Sequence, residues 1–267
     1  MTAPWRLSVR SERSSEEREQ LLETLRDLPS QLAELRREFG EFRQEFRVFR
    51  DLFLSTRQDL WERARTRWKQ DEPDTSLTWG ARWTGDAFLD LVCSRYQFSH
   101  TTRILEVGPG YGRLLDALLS RSLPFQNYLG IDLSESRVQR LKQKYAHDAR
   151  IQFVVDDVEK FSCAPVDLAI SSATFSHLFP NFLAAMASLR RSLKTGAVVC
   201  FDVSEGGGGG FQDDGVTFGR SYGQDEIRTL FDGSNFGDLY LDHVEHGRDG
   251  VTHKPVAMLF VSCKRLR

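Results

Sequence analysis

The chain reads as an α/β protein: an open, mostly parallel sheet completed by a C-terminal antiparallel strand and preceded by a long α-helical coiled coil. Three observations predict this. A short apolar strand, Ile104 to Val107, runs into the glycine loop Gly108-Pro109-Gly110-Tyr111-Gly112. Apolar, β-rich runs then alternate with amphipathic helical segments, the order that lays parallel strands side by side through helical crossovers. Near the N-terminus, apolar residues recur in alternating steps of four and three from Leu21 to Phe53.

Gly108, Gly110 and Gly112 let the backbone turn sharply from strand to helix and come close to a ligand, and the helix Gly112 to Arg121 aims its first N–H groups at an anionic group. A dinucleotide loop, G-x-G-x-x-G, would need glycine at position 113, which is Arg113; the pattern here, from Glu106, is E-x-G-x-G-x-G. The second strand, Tyr128 to Ile131, ends in Asp132 and Leu133 before the amphipathic segment Ser134 to Tyr145. An acid about 20 residues beyond the loop stands where ribose hydroxyls lie in such folds. The third strand, Ile151 to Val155, ends in Asp156, Asp157 and Val158. The fourth, Val166 to Ser171, runs into Ser172, Thr174, Ser176 and His177, and the fifth, Ala197 to Val203, ends near Glu205 and the run Gly206 to Gly210. Each polar cluster falls at the carboxyl end of a strand, the edge where open α/β sheets bind ligands.

On this ensemble, residues 79–267 resemble the class I S-adenosylmethionine-dependent methyltransferases. The resemblance implies a Rossmann-like sheet with S-adenosyl-L-methionine as cofactor. It sets Glu106, Gly108, Gly110, Tyr111 and Gly112 around the methionine end, Asp132 and Leu133 at the ribose, and Asp157 and the Val158 N–H at the adenine, with Ser172 also in the cofactor site. Asp156 occupies a position where the family often has glycine. Other readings stay open: Glu106 as a strand-end acid shaping the loop, Asp132 as a helix cap although Ser134 already supplies one, and Gly112 as a packing glycine. Because the loop after the fourth strand faces the methyl group in this family, His177 is the candidate general base, against a role orienting the next helix. His100 lies at the opposite edge. His243, His246 and His253 sit in the C-terminal strand pair. On the acceptor side stand Thr174 and the Arg220-Ser221-Tyr222 element; Arg220 is open to a substrate anion or to pairing with Asp213 or Asp214. The implied reaction is O-methylation of a small polar or glycan-type acceptor. Its rivals are N-methylation of a small amine, aminopropyl transfer, and a non-catalytic scaffold.

Length and composition fit one catalytic domain with an appendage: 267 residues, of which 40% are hydrophobic. A formal charge of −2 gives no general basic field, which argues against a nucleic-acid substrate. Cys93, Cys163, Cys200 and Cys263 lie far apart and read as reduced thiols, and no metal-ligand spacing is present. With no apolar leader after Met1 and no run near the roughly 18 residues of a membrane span, the expectation is a cytoplasmic protein.

The stripe Leu21, Leu25, Leu28, Leu32, Leu35, Phe39, Phe42, Phe46, Phe49 and Phe53, which Leu60 continues, is an a/d seam with Arg and Glu filling most other positions. A single helix cannot bury such a stripe, so residues 1–70 are expected to form a coiled coil that makes a homo-oligomer. Pro29 and Gly40 interrupt it, and Pro29 suits a helix start. The rival is an interfacial helix, but acids nearly match bases, which leaves peripheral membrane association at most. Gln70 to Ser76, with Pro73, reads as a linker opening the catalytic domain at 71–267. The segment Trp79 to Phe88 is open to two readings: a lid over the cofactor, or a helix start capped by Thr84 with the tryptophans as core.

Overall fold

The structure is a computed structural model that describes residues 22, 25–26, 28–40, 42–43, 62, 65–66, 68–69, 84–178, 181–206, 211–213, 218–248 and 255–266. The chain divides into two compact units, Met1–Arg57 and Gln58–Arg267. The division falls upstream of the 70/71 boundary that the seam suggested.

In the first unit the described residues are helical, Pro29 and Gly40 included. Leu22, Leu25, Leu28, Leu32, Leu35, Phe39 and Phe42 are exposed, each by 45% or more. All of these but Leu22 are seam positions; the other seam positions, Leu21, Phe46, Phe49, Phe53 and Leu60, lie outside the described residues, as do the linker at 70–76 and Trp79 to Trp83. Thr84 caps the helix that follows, its hydroxyl accepting from the Ala87 N–H at 3.2 Å.

The second unit begins its regular structure with α1 (Gly85–Arg95), then β1 (Arg103–Val107), α2 (Arg113–Ser120), β2 (Asn127–Asp132), α3 (Glu135–Lys144), β3 (Ile151–Val155) and β4 (Val166–Ser171). A 3₁₀ turn at Phe175–His177 leads to α4 (Phe182–Arg191), β5 (Leu193–Ser204), the short β6 (Phe211–Asp213) and β7 (Phe218–Arg220), α5 (Gln224–Phe231), β8 (Phe236–Arg248) and β9 (Pro255–Arg265). The seven-stranded sheet has the order β3-β2-β1-β4-β5-β9-β8. The pairings among β1 to β5 are parallel, and β9 runs antiparallel to both β5 and β8. The mostly parallel sheet with an antiparallel C-terminal strand is as the sequence predicts. The β6–β7 hairpin is an addition that the glycine run concealed.

Strand alternation splits the apolar side chains between two faces. Leu105, Val107, Val199 and Phe201 face α4 and α5, packing with Phe182, Met186, Ile227 and Phe231. Ile104, Leu168, Ile170 and Cys200 face α1 to α3, packing with Phe88, Leu114, Leu118 and Val138. Helices therefore cover both faces, and the strand order reverses between β1 and β4. At such a switch point the loops leave in opposite directions and open a crevice at the carboxyl edge. Among the described residues, no helix is long and apolar enough to cross a membrane.

Candidate active site

The loop after β1 is left-handed at three glycines: Gly108 at φ +70°, Gly110 at +56° and Gly112 at +84°. Each is excluded from bearing a side chain for a different reason. A Cβ on Gly108 would fall onto the Thr174 hydroxyl, 2.8 Å from its Cγ2, and one on Gly112 would lie 2.5 Å from the Tyr145 hydroxyl. At Gly110 a Cβ would meet nothing within 4 Å. There the left-handed backbone alone favours glycine, and the open space before it leaves room for a ligand to approach.

That space belongs to a cavity of about 390 Å³ between the ends of β1, β2, β3 and β4. Of the predicted cofactor residues, Gly108, Gly110, Tyr111, Asp132, Leu133, Asp157, Val158 and Ser172 line it; so do Thr174 and His177 from the expected methyl-transfer end. Asp132 is buried. Its Oδ2 accepts from the Gly110 N–H at 3.2 Å and its Oδ1 from the Ser134 N–H at 2.9 Å, so it ties the glycine loop to the start of α3. Burial pushes its carboxyl above the usual carboxylate range, while these amides and Arg137 pull it back. Ser134 meanwhile caps α3 with its own hydroxyl, so Asp132 is not needed for that purpose. Asp157 Oδ1 accepts from the Glu159 N–H at 3.1 Å, and its Oδ2 pairs with Arg65 at 2.5 Å. Asp156 is exposed at the cavity mouth and accepts the Asp157 N–H at 2.7 Å.

Glu106 and Gly112 do not line the cavity. Glu106 is buried behind the loop and accepts from the Tyr128 hydroxyl; burial pushes its carboxyl up to about 7, against the pull of Tyr128 and Arg113. This contact shapes the loop's support from beneath. Beside it runs a buried polar chain. Arg113 donates to Ser172 Oγ at 2.8 Å, and the Ser172 hydroxyl donates in turn to Asp202 Oδ2 at 2.6 Å. The other oxygen of Asp202 accepts from the Ala173 N–H at 2.6 Å and holds Ala173 left-handed at φ +57°. A non-glycine residue in that region is strained, and strain of this kind persists only where the surroundings impose it.

His177 is half-buried at the other end of the cavity. Its imidazole lies 4.7 Å from the Trp68 ring, centroid to centroid, and a Cβ on Gly219 of β7 would sit 3.4 Å from it. Arg220 and Tyr222, expected at the acceptor, do not line the cavity. Arg220 pairs with Glu226 and stacks 4.7 Å from the Tyr222 ring; the side chains of Asp213 and Asp214 lie outside the described residues. Tyr222 is 1% exposed and packs into the core against Phe182 at 5.6 Å. The two share one face of an extended segment, and because Tyr222 packs into the core that face is not turned to the cavity.

Sequence reasoning missed Arg65, Trp68, Arg113, Arg137, Asp202 and Gly219. Arg113 carried a signal, standing where another loop type would need glycine. So did Asp202, an acid inside the apolar run of β5. Arg65 and Trp68 were absorbed into the helical seam, and nothing local marks Gly219.

A switch-point cavity with a glycine turn, an acid after β2 and a second acid after β3 defines an α/β domain that holds a nucleoside-type ligand. Residues 104–196 match the methyltransferase domain family. The 5-methylorsellinic acid synthase of Aspergillus terreus is 33% identical over 130 residues, 45% of this chain and 5% of that protein. The malonyl-[acyl-carrier protein] O-methyltransferase of Priestia megaterium is 32% identical over 117 residues, 43% of this chain and 41% of that one. The chain therefore spans less than half the length of each of these relatives. Among solved structures, the Burkholderia thailandensis 1,6-didemethyltoxoflavin-N1-methyltransferase, with 1,6-didemethyltoxoflavin and S-adenosylhomocysteine bound, superposes with a TM-score of 0.60 at 16% identity, over 84% of this chain and 90% of that one. The chain carries a methyltransferase domain of the class I S-adenosylmethionine-dependent family.

Proposed function

We propose that the protein transfers a methyl group from S-adenosyl-L-methionine to an oxygen atom of a small polar or glycan-type acceptor. The observation that carries the reading is His177, a titratable side chain bordering the same cavity as Gly110 and Asp132 but at its far end. The donor supplies a methyl group on a sulfonium sulfur, which leaves as a neutral thioether once the methyl is taken in line. The protein's task is then to position the acceptor and dispose of its proton.

Support for the fit comes from the cavity itself. Gly110 has room in front of it where any side chain would stand in the ligand's way. Asp132, buried and acceptor-only when ionised, retains lone pairs for ribose hydroxyls beyond the two amides it already serves. Asp157 and the Val158 N–H offer an acceptor and a donor side by side for an adenine edge. At the other end, His177 takes the proton from an acceptor hydroxyl as the new C–O bond forms, and Thr174, Ser176 and Ser204 supply hydroxyls to orient a polar acceptor. The malonyl-[acyl-carrier protein] O-methyltransferase likeness supports oxygen as the acceptor atom.

The exposed stripe from Leu22 to Phe42 supports assembly of identical chains through a coiled coil. The reading is tested by calorimetric titration of S-adenosylhomocysteine into wild type and Asp132→Ala, followed by an acceptor panel of carboxylates, sugar hydroxyls and amines. Binding by the wild type that the substitution abolishes is expected. His177→Ala should keep cofactor affinity and lower turnover by roughly a hundredfold; unchanged turnover would point to an amine acceptor.

A further inference from the structure

The turn after β4, which brings Thr174 and His177 to the acceptor end of the cavity, takes its shape from β5. Three residues of that strand hold it. Phe201 stacks on Phe175 at 4.4 Å, and the Ser204 N–H donates to Ser176 Oγ at 2.7 Å. Between them Asp202 points to the face opposite Phe201 and has no exposed surface. An ionised carboxylate in such a place is costly unless its oxygens are served. Here one oxygen takes the Ser172 hydroxyl and the other the Ala173 N–H, both at 2.6 Å. Ser172 Oγ already accepts from Arg113, which leaves its proton for Asp202. Ala173, at φ +57°, is the one left-handed residue of the turn. Thr174 follows it directly, and the Thr174 carbonyl accepts from the His177 N–H at 2.9 Å.

We propose that Asp202 is a positioning residue for methyl transfer: by imposing the left-handed conformation on Ala173, it sets the direction from which His177 meets the acceptor. This role rests on His177 acting as the base, as argued above. An alanine released from the contact prefers negative φ, and that change turns the chain about its N–Cα bond by more than a right angle. Phe175 and Ser176 remain tied to β5, so the displacement is taken up at Thr174 and at the His177 ring. The carboxylate suits the task because both of its oxygens only accept, and the two groups that converge on it, a hydroxyl and an amide N–H, both donate.

The test is read on the His177 imidazole of the full-length protein saturated with S-adenosylhomocysteine, through its carbon–proton NMR cross-peak, assigned by its loss in His177→Ala. Asp202→Ala should move this cross-peak. Asp202→Asn, whose carbonyl still offers the Ala173 N–H an acceptor, should move it far less. Adding Ala173→Gly to Asp202→Ala should bring it back, because glycine enters the left-handed region unforced. A fold that had merely loosened would not be repaired in this way. Turnover, on whichever compound of the acceptor panel the wild type methylates fastest, should follow the same order, with a fall of roughly a hundredfold in Asp202→Ala. Should Asp202→Ala not fold, Ala173→Val replaces it, since a branched side chain resists positive φ with Asp202 still in place, and the cross-peak should move again. A cross-peak that stays in place in the variant read overturns the proposal, as does one that Ala173→Gly fails to restore. A wild type that binds no S-adenosylhomocysteine, or a His177→Ala variant that turns over at the wild-type rate, overturns instead the reading of the site on which the proposal rests, and the proposal with it.

Discussion

The two halves of the cavity are built differently. On the β1–β3 side the groups are fixed by their own stretch of chain. Asp132 is held by the Ser134 N–H two residues on and by the loop it faces, and Asp157 is held by the Glu159 N–H. On the β4–β5 side they are gathered from a distance: His177 meets Trp68 and Gly219, and Ala173 is held by Asp202. The first half is built on local turns that the Gly110–Asp132 and Arg65–Asp157 contacts join to the rest; the second is an assembly whose geometry depends on the fold as a whole.

Substitutions break or sharpen this contrast. The largest effect is expected from Asp202→Ala. Removing the buried carboxylate that Ser172 and Ala173 share, beside half-buried Arg113, should destabilise the protein by about 4 kcal/mol in denaturant unfolding, the scale of breaking a buried charged network. Gly108→Ala presses the two halves together, since the new methyl would strike Thr174 from a left-handed backbone. About 3 kcal/mol is expected from strain and overpacking combined, with S-adenosylhomocysteine affinity lost in the same variant. Glu106→Gln tests the support under the loop through pH. With its carboxyl raised from 4.5 to about 7 in the folded protein, Glu106 stabilises fully below about 4.5, and that contribution is lost as pH rises through about 7. The wild type should therefore lose on the order of 2 kcal/mol between pH 5 and 8 that the glutamine variant keeps, seen as a flatter pH dependence of Tm. The smallest effect belongs to Ala173→Gly, where relief of the left-handed strain offsets the greater freedom of the unfolded chain. Stability should stay within about 0.5 kcal/mol. A larger loss would show that the Ala173 methyl, and not Asp202, holds the turn.

The same contrast decides what the sequence discloses. The sheet, its order of strand and helix, and the cavity residues Gly108 to Asp157 follow from periodicities and turns contained within a few residues of each other. Glu106 was readable as an acid but not as one buried beneath the loop, because its partner Tyr128 arrives from the adjacent strand. Arg220 and Tyr222 misled for the same reason: a polar dipeptide pattern says nothing of which face an extended segment turns to the core. Arg65 and Trp68 were hidden by a different effect. They lie within residues 1–70, the region assigned to the helical coil, so the stronger periodic signal upstream of them masked a contact made within the second unit.

The bare stripe of the N-terminal helix makes protein concentration a structural variable. Isolated helices are marginal in water, and seven large apolar side chains each exposed by 45% or more give this helix little reason to stay folded alone. By mass action, whatever covers that stripe adds to the helix's stability in proportion to the logarithm of its own abundance. On the self-assembly proposed above, the same chain would carry a rigid arm where copies are plentiful and a frayed one where they are scarce.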